Sequence, residues 1–367
     1  MIRTYDPETQ TSSSSSAIHW NWLTLGGRDA QDFLHRLSTV HVKALQPGQG
    51  KPGCILNAQG KIRASFMLWN LKKDLYAFEW DGGQLNQGRL SLISLIDELT
   101  FGEKMELKNP STPVRCLWLW GEDEELQALI PELPTAGHVL EIPLPQEAAG
   151  LAGETPSLHL GHHGKTQFGR TWLTLWGEPQ NLNRWLKDRL QHCGLNTQSV
   201  ELQEMEQWRI QALRPRVDFE ITTQANPLEI GLRDAISDQK GCYPGQEVIE
   251  RTLALGSPAR NLVQIEGTGP APTVGEPLWD ASGSLTTPQL RESEADASRP
   301  ALEVGVVTSS QPLFCRPSGQ STAESFIALA LVRKTHAKKG APLAFQKPLN
   351  GRGTVVQIAP YAEKGSP

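Results

Sequence analysis

Residues 240–247 read KGCYPGQE, with Cys242 between two glycine turns, Lys240 before it and Glu247 after it. A cysteine that only packs in a core is normally flanked by apolar residues, and this one is not. Glycine opens backbone conformations closed to other residues, so Gly241 would let Cys242 sit on a sharp turn with its sulfur outward. Pro244-Gly245 makes a second turn, after which a short helix starts at Gln246 and carries Glu247 and Arg251. A helix N-terminus and Lys240 close to the sulfur would both favour the thiolate. Two readings stay open from these residues alone. Cys242 is a working thiol (nucleophile, redox-sensitive group or transient metal ligand), or it is a small hydrophobe in a loop that packs lobes together.

At 367 residues the chain exceeds one compact core and favours two or three domains. Hydrophobic residues make up 38% and tryptophan occurs 11 times, ample for globular cores, while a mean hydropathy of -0.38 reflects loops rich in Gly, Pro, Ser and Gln. No stretch reaches the roughly 18 apolar residues of a membrane span, so no membrane partner is expected. Residues 1–17, with Asp6, Glu8 and a serine run, are read as a disordered tail and not as a signal or transit peptide. The net charge of -5, from 35 Lys and Arg against 40 Asp and Glu, provides no basic field toward nucleic acid. The densest basic run, RKTHAKK at 333–339, is read as solvated surface, and direct nucleic-acid binding is not expected.

The five cysteines, Cys54, Cys116, Cys193, Cys242 and Cys315, are odd in number and far apart, unlike a secreted disulfide framework. A reducing cytoplasm fits better. There is no C-x-x-C pair for a dithiol or a zinc knuckle. His159, His162 and His163 in HLGHHG lack a nearby Cys or carboxylate, and Gly161 and Gly164 mark a loop, so no metal site is assigned.

Along the chain, HWNWLTLGG opens as a Trp-rich strand and leads into a helix with Ala30, Phe33, Leu34 and Leu37 on one face. GCILNAQGKIRASFMLWNLKKDLYAFEW gives two or three antiparallel strands, followed by a helix with Leu85, Leu92, Ile93 and Ile96 along one face. VRCLWLWG and TWLTLWG are two similar strands with a loop-rich interval between them. NLNRWLKDRLQHCG is an amphipathic helix with Gly194 past its end and Cys193 buried in its last turn. A further helix carries EMEQWRIQAL until Pro215 stops it. After Gly256 helical periodicity gives way to strands, the pattern of a small C-terminal β-barrel or sandwich. Residues 281–300 read as a polar loop insertion. The whole is α+β followed by all-β.

KGCYPGQEVIER resembles the K-G-C-Y-x-G-Q-E signature of the YgfZ-type folate-binding proteins of iron–sulfur cluster assembly and repair, relatives of the aminomethyltransferase (T-protein) of glycine cleavage. GGRDAQDFLHRLSTV and LNAQGKI are similar to that family's N-terminal motifs, and WRIQALRPRVDFE and NPLEIGLRDAISDQKGC to the segment leading into the signature. GVVTSS and IALALVRK are similar to its barrel strands. The resemblance implies two α/β lobes with antiparallel sheets plus a C-terminal β-barrel, arranged as a ring around a central folate-sized cavity. Residues 18–255 would be the folate-binding region of two interleaved lobes and 256–367 the barrel.

It implies tetrahydrofolate or a derivative as cofactor, and iron–sulfur cluster proteins or assembly factors as partners, with a link to tRNA modification. Cys242 would be the working thiol and Lys240 would bias its ionisation. Gln211, Asp218, Glu229, Gly241, Tyr243, Gln246, Glu247 and Arg251 would surround the folate and order the loop. T-proteins carry a glutamate in R-I-E-A-G that grips the pterin; here that position is Gln211, and the following glycine position is Leu213. A neutral amide forgoes a charge-assisted bond, typically about twice as strong as a neutral one. Glu229 or Glu206 are possible substitutes, and Asp81 stands near the position of another folate-orienting acid. Tetrahydrofolate-dependent aminomethyl transfer is the alternative function, a folate-binding scaffold without chemistry a third, and whether the chain is an enzyme is open.

Overall fold

The structure is a computed structural model that describes residues 1–6, 20–81, 92–108, 114–144, 157–166, 169–282, 303–313, 325–345 and 351–358. The chain divides into two compact units. The first comprises Met1–Ala58, Ile62–Met205 and Asp234–Pro244, the second Gln59–Lys61, Glu206–Arg233 and Gly245–Pro367.

The first unit runs β1 (Ile2–Tyr5), β2 (Trp20–Gly26), α1 (Ala30–Leu37), β3 (Gly50–Leu56), β4 (Ile62–Lys72), β5 (Leu75–Asp81), α2 (Leu92–Glu98) and β6 (Glu106–Lys108). It continues with β7 (Arg115–Gly121), α3 (Asp123–Leu129), β8 (Val139–Pro143), β9 (Ser157–Lys165), β10 (Thr171–Gly177), α4 (Pro179–Cys193) and β11 (Thr197–Ser199). Its strands form a five-stranded sheet of order β3-β4-β5-β2-β6 and a six-stranded sheet of order β11-β1-β7-β10-β9-β8. All pairings are antiparallel except β1 with β11.

The alternation in LWLW and WLTLW places leucines on one face and tryptophans on the other. Leu119, Leu173 and Leu175 close on Leu126 and Leu129 of α3 and Leu182 of α4. On the other sheet Leu23, Leu25, Leu68 and Phe78 close on Phe33 and Leu34 of α1 and Leu95 and Ile96 of α2. The two tryptophan faces meet each other. Trp22 lies 5.3 Å from Trp176 and Trp20 4.9 Å from Trp118, ring centre to ring centre. The central strands β7 and β10 are thus buried on both faces, which is why they are almost entirely apolar. Trp69 can approach the facing sheet closely because position 161 is glycine, where a Cβ would come within 2.7 Å of its ring.

Three expectations are corrected here. Residues Ile2–Tyr5 fall in the stretch read as a tail, yet they form β1, with Ile2 and Tyr5 buried between β7 and β11; residues 7–17 lie outside the described residues. HLGHHG is not a loop but the middle of β9, since Leu158 and Leu160 alternate with His159 and Gly161 and pack into the leucine core. In α2 the buried face is Leu92, Leu95 and Ile96, while Ile93 points outward and Leu85 lies outside the described residues.

In the second unit, α5 (Leu202–Gln211) contributes its residues from Glu206 onward, and α6 (Gln246–Ala254) is followed by β12 (Arg260–Thr268), β13 (Pro277–Asp280), β14 (Glu303–Pro312), β15 (Ser325–Arg333), β16 (Pro342–Phe345) and β17 (Gly351–Ile358). These six strands close a barrel of order β12-β15-β14-β13-β16-β17. Val263, Ile265, Phe326, Ala328 and Phe345 fill it, while the alternate residues Leu262, Ile327 and Leu329 pack outward on Ile210 and Leu213. Residues 283–302, which hold most of the expected insertion, lie outside the described residues.

Candidate functional site

The residues before and within KGCYPGQE have little regular structure of their own, and in the first unit they are held by the end of α1. Thr39 Oγ1 donates to the carbonyl of Ala235 at 2.5 Å, the Ser237 amide donates to the Thr39 carbonyl at 3.0 Å, and the His41 amide donates to Ser237 Oγ at 3.0 Å. Lys240 Nζ donates to the carbonyl of His35 at 2.6 Å and to that of Ser38. These carbonyls belong to the last turn of α1 and its cap, the negative end of the helix dipole, where a lysine is favoured. The same ammonium stands 4.8 Å from the ring centre of Tyr243, which is buried. Burial pulls the Lys240 ammonium down to about 8, while a thiolate at Cys242 would pull it back up. At neutral pH most of it keeps its proton.

Cys242 is exposed between these two anchors, Lys240 and Tyr243. The other described cysteines differ from it: Cys54 and Cys116 are buried, and Cys193, expected to be buried, is half-buried with its thiol on the carbonyl of Ala128. Burial pushes the Cys54 thiol up to about 12, which keeps it inert. The turn geometry differs from the expectation. The left-handed residue is Gly245, φ 79°, at the N-terminal cap of α6, and Gly241 is not left-handed. Gly241 is exposed, as a position with open space around it allows.

In the second unit the segment from α5 onward carries a buried ionic network. Arg209 donates to Glu206 at 2.9 and 3.0 Å, to Glu220 at 3.1 Å and to Ser309 Oγ at 2.7 Å; Arg216 Nη1 donates to Glu206 at 3.0 Å. Burial opposes the Arg209 charge, but Glu220 and Glu206 outweigh it and hold the guanidinium above its ordinary value. Glu206 is therefore committed to arginines. Gln211 is half-buried at the end of α5, and its neutral amide can both donate and accept. Leu213 adopts φ 51°, a left-handed conformation normally left to glycine. The fold keeps a glycine-type turn and the leucine gains packing against the barrel.

Asp218 is exposed and also left-handed, φ 71°. Glu229 is buried, and both its oxygens accept from Arg260, at 3.0 and 3.2 Å. In α6, Gln246 Nε2 donates to Glu250 at 2.6 Å, and Glu247 and Arg251 are exposed. The structure thus gathers Lys240, Cys242 and Tyr243 in one loop, and sets Gln246, Glu247 and Arg251 on the helix that follows it.

Sequence reading missed a second cluster. Glu79 of β5 is fully buried and accepts from Trp20 Nε1 at 2.9 Å and Trp69 Nε1 at 2.8 Å, with His163 Nε2 at 3.2 Å. Burial works against its charge, but the His163 imidazole and these hydrogen bonds prevail and hold the carboxyl below its usual range. His163 is stacked 4.3 Å from Trp172. The available signal was an acid inside the apolar run of the strand LYAFEWD. Asp81 ends that strand, half-buried. Among the described residues no group of three or more His, Cys, Asp or Glu could hold a metal ion, and no helix is long and apolar enough to cross a membrane.

No family model matches the chain. It is 26% identical over 291 residues, 75% of this chain and 79% of the relative, to the tRNA-modifying protein YgfZ of Pectobacterium atrosepticum. To the tRNA-modifying protein YgfZ of Serratia proteamaculans it is 32% identical over 162 residues, 38% of this chain and 47% of the relative. Among solved structures it is similar to the glycine cleavage system aminomethyltransferase T of Bartonella henselae, with a TM-score of 0.70 and 16% identity, covering 99% of this chain and 87% of that one. The chain therefore has an aminomethyltransferase-like fold, and its resemblance to YgfZ-type proteins extends well beyond the signature.

Proposed function

We propose that the protein is a folate-binding accessory factor for iron–sulfur cluster assembly or repair, linked to tRNA modification, with Cys242 as its working thiol. The observation that carries this reading is that Cys242 alone of the four described cysteines is exposed, and stands between two anchored neighbours, Lys240 and Tyr243. An exposed thiol that only packed would have nothing to pack on. The likeness to the tRNA-modifying YgfZ proteins supports the link to tRNA modification, and the aminomethyltransferase-like fold supports a reduced folate as ligand.

The residues present fit such a ligand at Gln211, whose amide offers the donor and acceptor that a pterin edge requires, with Asp218 as the acidic partner. Glu229 suits this role less, because Arg260 occupies its carboxylate. Tetrahydrofolate, when bound, supplies a carrier for one-carbon units. The test is calorimetric titration with tetrahydrofolate, set beside complementation of iron–sulfur enzyme activity in a deletion strain. Saturable binding together with a Cys242-dependent rescue is the expected result, and no heat at millimolar ligand would leave only a scaffold.

The alternative, tetrahydrofolate-dependent aminomethyl transfer, is favoured by the fold likeness to the glycine cleavage enzyme. A glycine-cleavage exchange assay on the purified protein separates the two. The amide at Gln211, where T-proteins have a carboxylate, weighs for the accessory role.

A further inference from the structure

We infer that Thr39 and Lys240 form a two-point clamp that fixes the Cys242 loop to the end of α1, so that Thr39 is a positioning residue for the thiol. This rests on the proposed role of Cys242. Segment 236–243 lies in no helix or strand, so its backbone has no ladder to hold it. Its fixed geometry must come from contacts outside any ladder, and residues 35–41 supply several of them.

Thr39 is fully buried and stands at the centre of these bonds. Its hydroxyl donates to Ala235 and accepts from the Cys54 amide at 2.9 Å, its carbonyl accepts from Ser237, and its amide donates to the Cys54 carbonyl at 2.9 Å. One side chain therefore ties β3, the exit of α1 and the approach to the signature together. Three residues after Ser237, Lys240 makes the second attachment, to the carbonyls of His35 and Ser38. Tyr243 lies buried beneath that ammonium. Cys242 sits between the second attachment and the buried ring, with its own side chain exposed. On this account Lys240 acts by holding the loop and not by a field at the sulfur, and the threonine of FLHRLSTV does the same work from the other side.

The test uses the full chain with Thr39→Val, which keeps the shape and removes the hydroxyl, together with Thr39→Ser, Lys240→Met and the Thr39→Val/Lys240→Met pair. Backbone hydrogen exchange over 236–243, followed by mass spectrometry, reads the clamp directly. Thr39→Val loses two buried hydrogen bonds, to Ala235 and from Cys54, and the one to Ala235 bears on the loop; protection should therefore fall about tenfold, and more in the pair. It should return in Thr39→Ser, while β7 and β10 stay protected in every variant. Unchanged protection of 236–243 in both Thr39→Val and Lys240→Met would overturn the clamp, as would a Thr39→Ser variant that behaves like Thr39→Val. If Thr39→Val fails to fold, the Lys240→Met and Thr39→Ser results still decide. A Cys242→Ala variant that keeps complementing, with exchange responding as expected, would overturn the working-thiol reading while the clamp stands.

Discussion

Glu79 and His163 face each other at 3.2 Å between the two sheets of the first unit, a fully buried carboxylate of β5 against an imidazole of β9. Removing the carboxylate leaves buried donors, the Trp20 and Trp69 indoles among them, without a charged acceptor, and hydrogen bonds to charged groups contribute about 1.5–3 kcal/mol. Glu79→Gln also turns an amide N–H toward one of the two indole donors. We expect it to destabilise the first unit by about 3 kcal/mol, read from tryptophan fluorescence in urea.

The pair also sets an acid limit. The folded carboxyl of Glu79 is held below its ordinary value of 4.5, so its contribution is complete above that pH and is lost as pH falls through the lower folded value. Urea midpoints measured from pH 7 to pH 3 should drop more steeply in the parent than in Glu79→Gln. Parallel curves would show that the carboxylate adds nothing to the junction of the sheets.

Gly60 has φ 69°, and a Cβ added there would lie 3.0 Å from Cβ of Val248 in α6, within the second unit. A left-handed conformation costs a non-glycine residue about 1–2 kcal/mol, and here the close approach adds to it. Gly60→Ala should therefore destabilise by about 2 kcal/mol and raise hydrogen exchange in α6. Gly60→Ala/Val248→Ala should recover the crowding part but not the conformational part. A single variant that melts like the parent would mean that the turn relaxes without cost.

The long central strands and the barrel were legible because their periodicity is local, with LWLW, WLTLW and NLVQI declaring period two within a few residues, whereas the short β6, β8 and β11 were not. What each face meets was not legible either. Period two separates Trp118 from Leu119 but does not say that the tryptophan faces of two sheets lie against each other, nor that Glu79 finds His163 far along the chain. β1 was missed because four residues ahead of a serine run carry no turn signal, and β9 because Gly161 and Gly164 in HLGHHG mimic a loop. Gly161 is there to admit Trp69. The signature was legible as a motif, yet its left-handed glycine is Gly245, and the role of Thr39 follows only from three-dimensional proximity.

Gln211 is the position where a single change should strengthen folate binding. Gln211→Glu restores a charge-assisted hydrogen bond, about twice as strong as a neutral one, and should tighten tetrahydrofolate binding about tenfold at neutral pH. Gln211→Leu should weaken it by a similar factor. Calorimetric titration of both variants measures this. Equal affinity in all three proteins would move the pterin away from α5.

Cys242 gives the clearest test of the proposed chemistry. Its sulfur is exposed, that of Cys193 half-buried, and those of Cys54 and Cys116 buried, with burial pushing the Cys54 thiol up to about 12. Among the described cysteines, iodoacetamide should therefore label Cys242 first and Cys193 more slowly, and spare Cys54 and Cys116 until the chain unfolds, as peptide mapping over time will show. An exposed side chain contributes little packing, so Cys242→Ala should hold the parent's stability to within about 0.5 kcal/mol. It should nonetheless fail to restore iron–sulfur enzyme activity in a deletion strain, because alanine supplies no thiolate. A Cys242→Ala variant that melts early but still complements would make the sulfur a packing group and KGCYPGQE a structural hinge. A labelling order led by Cys193 would remove the accessibility on which the working-thiol reading stands.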